Sequence, residues 1–457
     1  MEAIGIIFGD SLGNNFQFAS KKYYSGNYVM IKEDDNPANN TCVICEITKK
    51  TAKNRFLETP EAIFYFTTDI NYKKETLYCY TAHPIAVLKN GKVVREKVPA
   101  LPGNMVMSVQ TELLSVAYGI PEGGIEVGYL RNMKDCKIRI DVNKMFHPHA
   151  FIVGKTGSGK SYFARNLFSK MKERYWIFSP TAEYDELSSE TFGRVRLETN
   201  PVLELNLQQI AYYVELNISE TTLLRKVYFD SDKIYTGNEI AFIVERYIKQ
   251  KTSLMVPSNM SLFEDSALGN EEAMPKYADS LLVKLRKIRN LKFAKKTINP
   301  ELFESNCVFN LEDYSQEEQE YILNNYLYKL QVRLKKNQRN RNERHIIVIE
   351  EAHNFVPSNK KTLCKDIIVK LAREGRKMGI SLCFITQRPR FFDQTALAQS
   401  GTKIIFSLSN LEDIAHITED AIYYKDSLAT EIQMQRTGEC IIAGDMYNDL
   451  LYSNIEF

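Results

Sequence analysis

Gly154-Lys155-Thr156-Gly157-Ser158-Gly159-Lys160-Ser161 constrains this chain more than any other stretch. It fills every fixed position of the Gly-x4-Gly-Lys-Ser/Thr phosphate loop. Phe151-Ile152-Val153 before it reads as a short buried strand, and Tyr162 to Phe168 after it has helical apolar spacing. Strand, glycine loop and helix form the context the motif requires. Glycines let backbone N–H groups turn inward on a polyphosphate, and the helix N-terminus adds free donors and the positive end of its dipole. The expected nucleotide-binding set is Gly154, Thr156, Gly157, Ser158, Gly159, Lys160, Ser161 and Tyr162. Lys160 reaches the β- and γ-phosphates, and Ser161 is a magnesium ligand. ATP and Mg2+ are the ligands this chemistry calls for.

The second half of such a site lies far downstream. Ile346-Ile347-Val348-Ile349 is a continuous apolar run, as expected of a parallel strand buried on both faces, and it ends in Glu350-Glu351. Acidic residues at the C-terminal end of such a strand stand where open α/β sheets bind ligands. Glu350 is assigned to the magnesium and Glu351 to the attacking water. Alone, the pair reads equally well as solvated carboxylates; the phosphate loop gives it a role.

A third apolar run, Ile380 to Ile385, ends in Thr386-Gln387-Arg388-Pro389, where Gln387 can sense the γ-phosphate or place water. Just upstream, Arg373 and Arg376 lie in an amphipathic pattern ending at Gly379. They fit three readings: fingers acting in cis, fingers reaching a neighbouring subunit's nucleotide, or charges on a solvated helix face.

Along the chain, residues 1–125 read as short β runs with turns and a linker helix, which favours a barrel. Examples are Cys42 to Ile47, Ala62 to Phe66 and Thr76 to Ala82, with turn clusters at 34–40 and 89–92. The α/β core is expected over 126–204 and 301–457. Residues 205–300 turn helical and more polar, with Ile240, Val244, Tyr247 and Ile248 at helical spacing, and read as an inserted helical subdomain. The fold class is therefore α/β: a P-loop NTPase (RecA-like) core with an N-terminal β-barrel and a helical insertion.

Two basic stretches, Leu281 to Lys296 and Lys335 to Arg344, read first as solvated faces and second as nucleic-acid contacts. Val356 to Lys361, close after the glutamate pair, is either an ordinary polar loop or a pore loop that moves with the nucleotide. In the second case Lys360 and Lys361 touch phosphates. His147-Pro148-His149 reads as a solvent-facing loop, because a third metal ligand is missing nearby.

Hydrophobic content of 44% and charged content of 25% are ordinary for globular chains. No apolar run approaches the roughly 20 residues of a membrane span. The start of the chain lacks a basic region and an apolar signal core, so a cytoplasmic location without membrane partners is expected. Of the 8 cysteines only Cys42 and Cys45 form a C-x-x-C, and they read as buried structural thiols. A net charge of +2 neither demands nor excludes nucleic acid. A few lysines per subunit, repeated around a ring, suffice to neutralise several phosphates.

Taken together, GKTGSGKS, IIVIEEAH, EGRKMGISLCFITQRP and the late segments KIIFSLSNLEDI and GECIIAG resemble the HerA hexameric DNA-translocating ATPases, within the wider HerA–FtsK class. Ile4 to Asp10 and Gly26 to Ile31 resemble that family's small (HAS-type) β-barrel. The chain departs from the family at Glu350, where many relatives carry Asp. It departs again at Ser179-Pro180-Thr181-Ala182-Glu183-Tyr184, which lacks a leading Asp before the Glu183 that would line the site. The resemblance implies a homohexamer that encircles and moves double-stranded DNA through a central pore. It also implies a partner: a nuclease or a sirtuin-like NAD-hydrolysing effector, serving DNA-end processing or anti-phage defence. A second reading is an ATP-gated scaffold that activates a bound effector with little translocation. A third is a conjugation-type secretion ATPase.

Overall fold

The computed structural model describes residues 2–12, 15–32, 41–54, 76–95, 101–188, 195–199, 201, 211, 214–227, 242–246, 274–289, 300–336, 344–419 and 428–456. Several expectations fall outside that set: the strand at 62–66, the turn at 34–40, most of the pattern at 240–248, and basic residues 292–296 and 337–343. Two compact units emerge. One comprises Met1–Met171, Gln387–Arg390 and Ser400–Phe457, the other Lys172–Thr386 and Phe391–Gln399.

The first unit opens with seven strands: β1 (Ala3–Leu12), β2 (Asn15–Ser20), β3 (Tyr28–Lys32), β4 (Thr41–Asn54), β5 (Thr76–Lys89), β6 (Lys92–Val94) and β7 (Met105–Ser108). Their order is β2-β1-β7-β3-β4-β5-β6, and a further β2–β5 pairing closes a barrel with β6 hanging from β5. Alternation along β2 drives closure: Phe16 and Phe18 point inward, and Phe18 stacks on Tyr80 with ring centroids 4.7 Å apart. Cys45 belongs to this apolar core, and burial pushes the thiols of both Cys42 and Cys45 up. The helix Thr111–Tyr118 stops at Gly119, whose φ of 72° permits the left-handed cap.

Six further strands complete this unit: β8 (Ile125–Leu130), β9 (Met133–Ile140), β10 (Ala150–Val153), β16 (Thr402–Phe406), β17 (Glu439–Gly444) and β18 (Leu451–Ile455). β10 runs parallel to β16, and β16, β17, β18, β8 and β9 continue as antiparallel neighbours. The histidine pair beside β10 differs from the sequence expectation. His147 is exposed, but His149 is fully buried, because it immediately precedes β10 and its carbonyl takes the Thr402 N–H.

The second unit holds five parallel strands: β11 (Arg174–Ser179), β12 (Val195–Glu198), β13 (Asn306–Asn310), β14 (His345–Ile349) and β15 (Ile380–Thr386). Their order is β12-β13-β11-β14-β15. Every residue of β14 and β15 is buried, the condition a continuous apolar run anticipates. Around β11, the rings of Phe178, Phe303, Phe309, Tyr326 and His345 enclose Trp176, whose indole N–H donates to the Leu302 carbonyl at 3.2 Å. Parallel strands end on one edge, so Ser179, Ile349 and Thr386 share that edge.

A buried carboxylate ties the described part of the insertion together. Asn217 and Glu220 form a reciprocal capping box at the start of the helix Ile218–Val227: each side chain accepts the other's backbone N–H at 2.8 Å. From the helix Met274–Arg289, Ser280 and Lys284 also donate to Glu220, at 2.6 and 2.7 Å. Lys284 is therefore an internal partner rather than a free cation awaiting nucleic acid. Burial pushes the Glu220 carboxyl up, but the bonds from Lys284, Ser280 and Asn217 outweigh it and hold the group below the ordinary carboxylate range. A depressed folded value gives stability that is full above the unfolded value and is lost as pH falls through the folded one. Lys284→Met should accordingly lower the melting temperature by roughly 2–4 °C near pH 7. That gap should close as pH drops below about 4. Equal gaps at both pH values, followed by thermal melts, would refute this role.

Candidate active site

In the first unit, the phosphate loop links β10 to the helix Lys160–Lys170. Gly157 and Gly159 take φ of 75° and 112°, a region that β-carbon-bearing residues avoid. Gly154 is required for a different reason: a Cβ there would lie 2.5 Å from Phe406 Cβ and 2.7 Å from Ser158 Oγ. Residues from the end of the chain brace the turn. Gly438 N–H donates to the Ser158 carbonyl at 3.0 Å, and Thr437 Oγ1 to the Gly157 carbonyl at 3.3 Å.

The helix has no side-chain N-cap, so its first-turn N–H groups stay available to an anion. Lys160 is buried at the start of that helix, its Nζ donating to the Lys155 carbonyl at 3.1 Å. Ser158 is also buried, and its hydroxyl has no partner within the protein. Both are polar groups that a polyphosphate would satisfy. Gln387 belongs to the same unit, and its Oε1 accepts from Thr156 Oγ1 at 2.5 Å, tying it to the loop. Ser161 and Tyr162 are half-buried in the first helical turn.

In the second unit, the Glu350 N–H still bonds to the Phe178 carbonyl at 3.0 Å, so this residue extends the β14 ladder. Its side chain is buried, and Oε2 accepts from the Tyr184 hydroxyl at 2.6 Å. Burial first, then the Glu350 charge, pushes the Tyr184 phenol far up, which keeps it protonated and donating. Glu351 follows with φ 49° and ψ 43°, a left-handed conformation rare for a residue with a β-carbon. Strain of this kind costs about 1–3 kcal/mol and concentrates where side-chain aim matters. Glu351 Oε2 lies 3.2 Å from His353 Nδ1, which in turn lies 2.8 Å from Thr386 Oγ1 at the end of β15.

Other sequence assignments fare differently. Arg373 and Arg376 are both exposed, on the helix Lys365–Glu374 and the turn after it. Lys360 and Lys361 are exposed beside Glu317 and Glu320 in a cleft of about 800 Å³. The chain on either side of them is pinned, before by the Ser358 N–H donating to the Phe391 carbonyl at 2.7 Å and after by the Lys365–Asp393 ion pair at 3.0 Å. Glu183 is exposed, whereas its neighbour Tyr184 reaches Glu350. Tyr184, His353 and Thr386 were not singled out from the sequence.

Among the described residues, three or more His, Cys, Asp or Glu side chains nowhere gather as a metal site. Magnesium characteristically takes one or two protein oxygens and completes its shell with water and phosphate. Taken unit by unit, Ser161 of the first offers a hydroxyl oxygen, and Glu350 of the second offers a carboxylate with one oxygen fixed by Tyr184.

Comparisons with known proteins agree. The family model "Helicase HerA, central domain" matches residues 125–330. The DNA double-strand break repair helicase HerA of Sulfurisphaera tokodaii is 26% identical over 447 residues, spanning 93% of this chain and 87% of that protein. HerA of Saccharolobus solfataricus is 25% identical, spanning 96% and 89%. Among solved structures, VirB4 of Thermoanaerobacter pseudethanolicus aligns over 74% of this chain and 98% of its own, with a TM-score of 0.51 at 18% identity. The plasmid coupling protein TrwB, in complex with ADP and Mg2+, aligns over 74% and 91% with a TM-score of 0.50 at 12% identity. Those two likenesses concern the fold alone. With a closed N-terminal barrel, a P-loop α/β core, a central domain that matches the HerA model and relatives aligned over nearly its whole length, the chain is similar to the HerA-type P-loop ATPases.

Proposed function

We propose that this chain is a magnesium-dependent ATPase that drives a motor on double-stranded DNA and works as a homohexameric ring. The reaction is in-line attack of water on the γ-phosphorus. The new P–O bond forms as the bond to the β–γ bridging oxygen breaks, and ADP and phosphate leave. Such a reaction is mostly positioning and charge neutralisation. Lys160 and the loop N–H groups neutralise the polyphosphate, Ser161 and Glu350 are the metal-side ligands, and Gln387 faces the γ-phosphate. Glu351 orients the water and takes its proton.

The observation that carries this reading is the phosphate loop. Gly157 and Gly159 are left-handed, the helix N-terminus is uncapped, Lys160 is buried, and the buried Ser158 hydroxyl has no partner. The DNA substrate rests on the printed function of the relatives, and the ring and its effector rest on family resemblance. The test is steady-state hydrolysis by purified protein with and without linear duplex DNA. Magnesium-dependent turnover that rises several-fold with duplex supports the motor. Turnover indifferent to DNA would overturn the motor in favour of a gated scaffold, and absence of turnover under both conditions would overturn the ATPase itself.

Arg373 and Arg376 are exposed, as side chains that reach a neighbouring subunit's nucleotide must be. In the proposed ring each Ala variant is inactive alone. Mixing it with Lys160→Ala subunits restores part of the activity, at interfaces that join an intact loop to an intact arginine. Mixtures that recover nothing, with oligomers verified by ultracentrifugation, would remove the trans assignment.

A further inference from the structure

We propose that His353 is the positioning residue for Glu351, and that it acts through one ring nitrogen shared with Thr386. The inference rests on the reading of Glu351 as the carboxylate that orients water.

Nδ1 of His353 shares a hydrogen bond with Thr386 Oγ1 at 2.8 Å, and Glu351 Oε2 lies close by at 3.2 Å without that bond being made. A ring nitrogen carries either a proton or a lone pair. With the proton on Nδ1, the imidazole can donate to the Thr386 hydroxyl or to the Glu351 carboxylate, and it holds Glu351 only in the second case. With Nδ1 bare, the nitrogen accepts the Thr386 hydroxyl proton and meets the carboxylate lone pair to lone pair, which drives Glu351 off. The two arrangements exclude each other at one atom. Glu351 is poised for such control, because its left-handed backbone leaves it at the edge of the short helix Ala352–Phe355 rather than inside it. Thr386 is the last residue of β15 and precedes Gln387 in the chain. A displacement of Thr386 thus passes to the carboxylate through His353. Thr386 is fully buried and the His353 side chain is only 10% exposed, so solvent competes little for either bond.

Full-length His353→Ala, His353→Asn and His353→Gln, alone and with Glu351→Gln, test this. Turnover, KM and affinity for a fluorescent ATP analogue are the readouts. An Asn side chain places an amide donor near the position of Nδ1, whereas Gln reaches toward Nε2. His353→Ala should lower kcat by about 10–100-fold with KM and affinity within about twofold, the pattern of a group that acts only in the transition state. His353→Asn should recover most of the loss and His353→Gln little. In the Glu351→Gln background, His353→Ala should cost nothing further, because its target is already gone. Unchanged kcat, losses that multiply in the double variant, or equal rescue by Asn and Gln would each overturn the proposal. Should the alanine variant lose its cooperative melt, the Asn–Gln comparison decides. Wild-type turnover by Glu351→Gln alone would instead sink the underlying assignment of Glu351.

Discussion

Lys160→Ala should reduce ATP turnover by at least about 100-fold, the usual loss when a preorganised charge on the transferring phosphoryl group is removed. The ammonium stands at the N-terminus of a helix, buried, with the Lys155 carbonyl as a hydrogen-bond partner at 3.1 Å. It is pre-placed and poorly hydrated, so its attraction for phosphate oxygens is larger than that of a surface lysine. Its loss removes one charge without disturbing the loop, because the left-handed glycines and the Gly438 and Thr437 bonds set the backbone. The variant should therefore melt like the parent while failing to hydrolyse ATP. Turnover within twofold of the parent would contradict the site assignment.

Glu351→Gln should separate binding from chemistry. An amide cannot accept the proton of the attacking water, yet it matches the carboxylate in shape and keeps the strained backbone. Hydrolysis should fall by roughly 100–10,000-fold, the range for a general base. Nucleotide affinity should stay close to that of the parent, since the phosphate loop is untouched. Glu350→Gln differs in kind: it removes the ligand's negative charge and leaves the Tyr184 hydroxyl with a weaker acceptor, so the magnesium requirement for binding should rise. Normal hydrolysis by the first variant together with normal binding by the second would show the two roles to be wrongly divided.

Much of this architecture was legible in the chain because its signals are local. A glycine loop between an apolar triplet and a helical pattern reads directly, and so does β14, whose every residue is buried. The helix Gln316–Lys336 also follows from its own spacing. Long-range pairings were not legible. Barrel closure depends on Phe16 to Ser20 pairing with Tyr78 to Ala82, which neither segment announces. Lys284 looked like one more cation on a basic helix, because its partner Glu220 lies 64 residues away and burial is invisible in composition. Tyr184 escaped notice for the same reason: the carboxylate it serves is 166 residues downstream. His353 follows the glutamate pair in sequence, but its significance depends on Thr386, 33 residues on, and on a left-handed Glu351 that propensity alone would not assign. Residue types are therefore readable at positions that bind nucleotide through backbone geometry, and much less so at positions that aim another side chain.

The most direct test of the ATPase assignment is the nucleotide found on the protein after one round of loading. Glu351→Gln and the parent chain are each mixed with radiolabelled ATP and magnesium, separated from free nucleotide, denatured and chromatographed. The parent should carry ADP, and the variant should carry intact ATP in comparable amount. ADP on both at equal rates, or no nucleotide retained by either, would contradict hydrolysis by Glu351 at this phosphate loop.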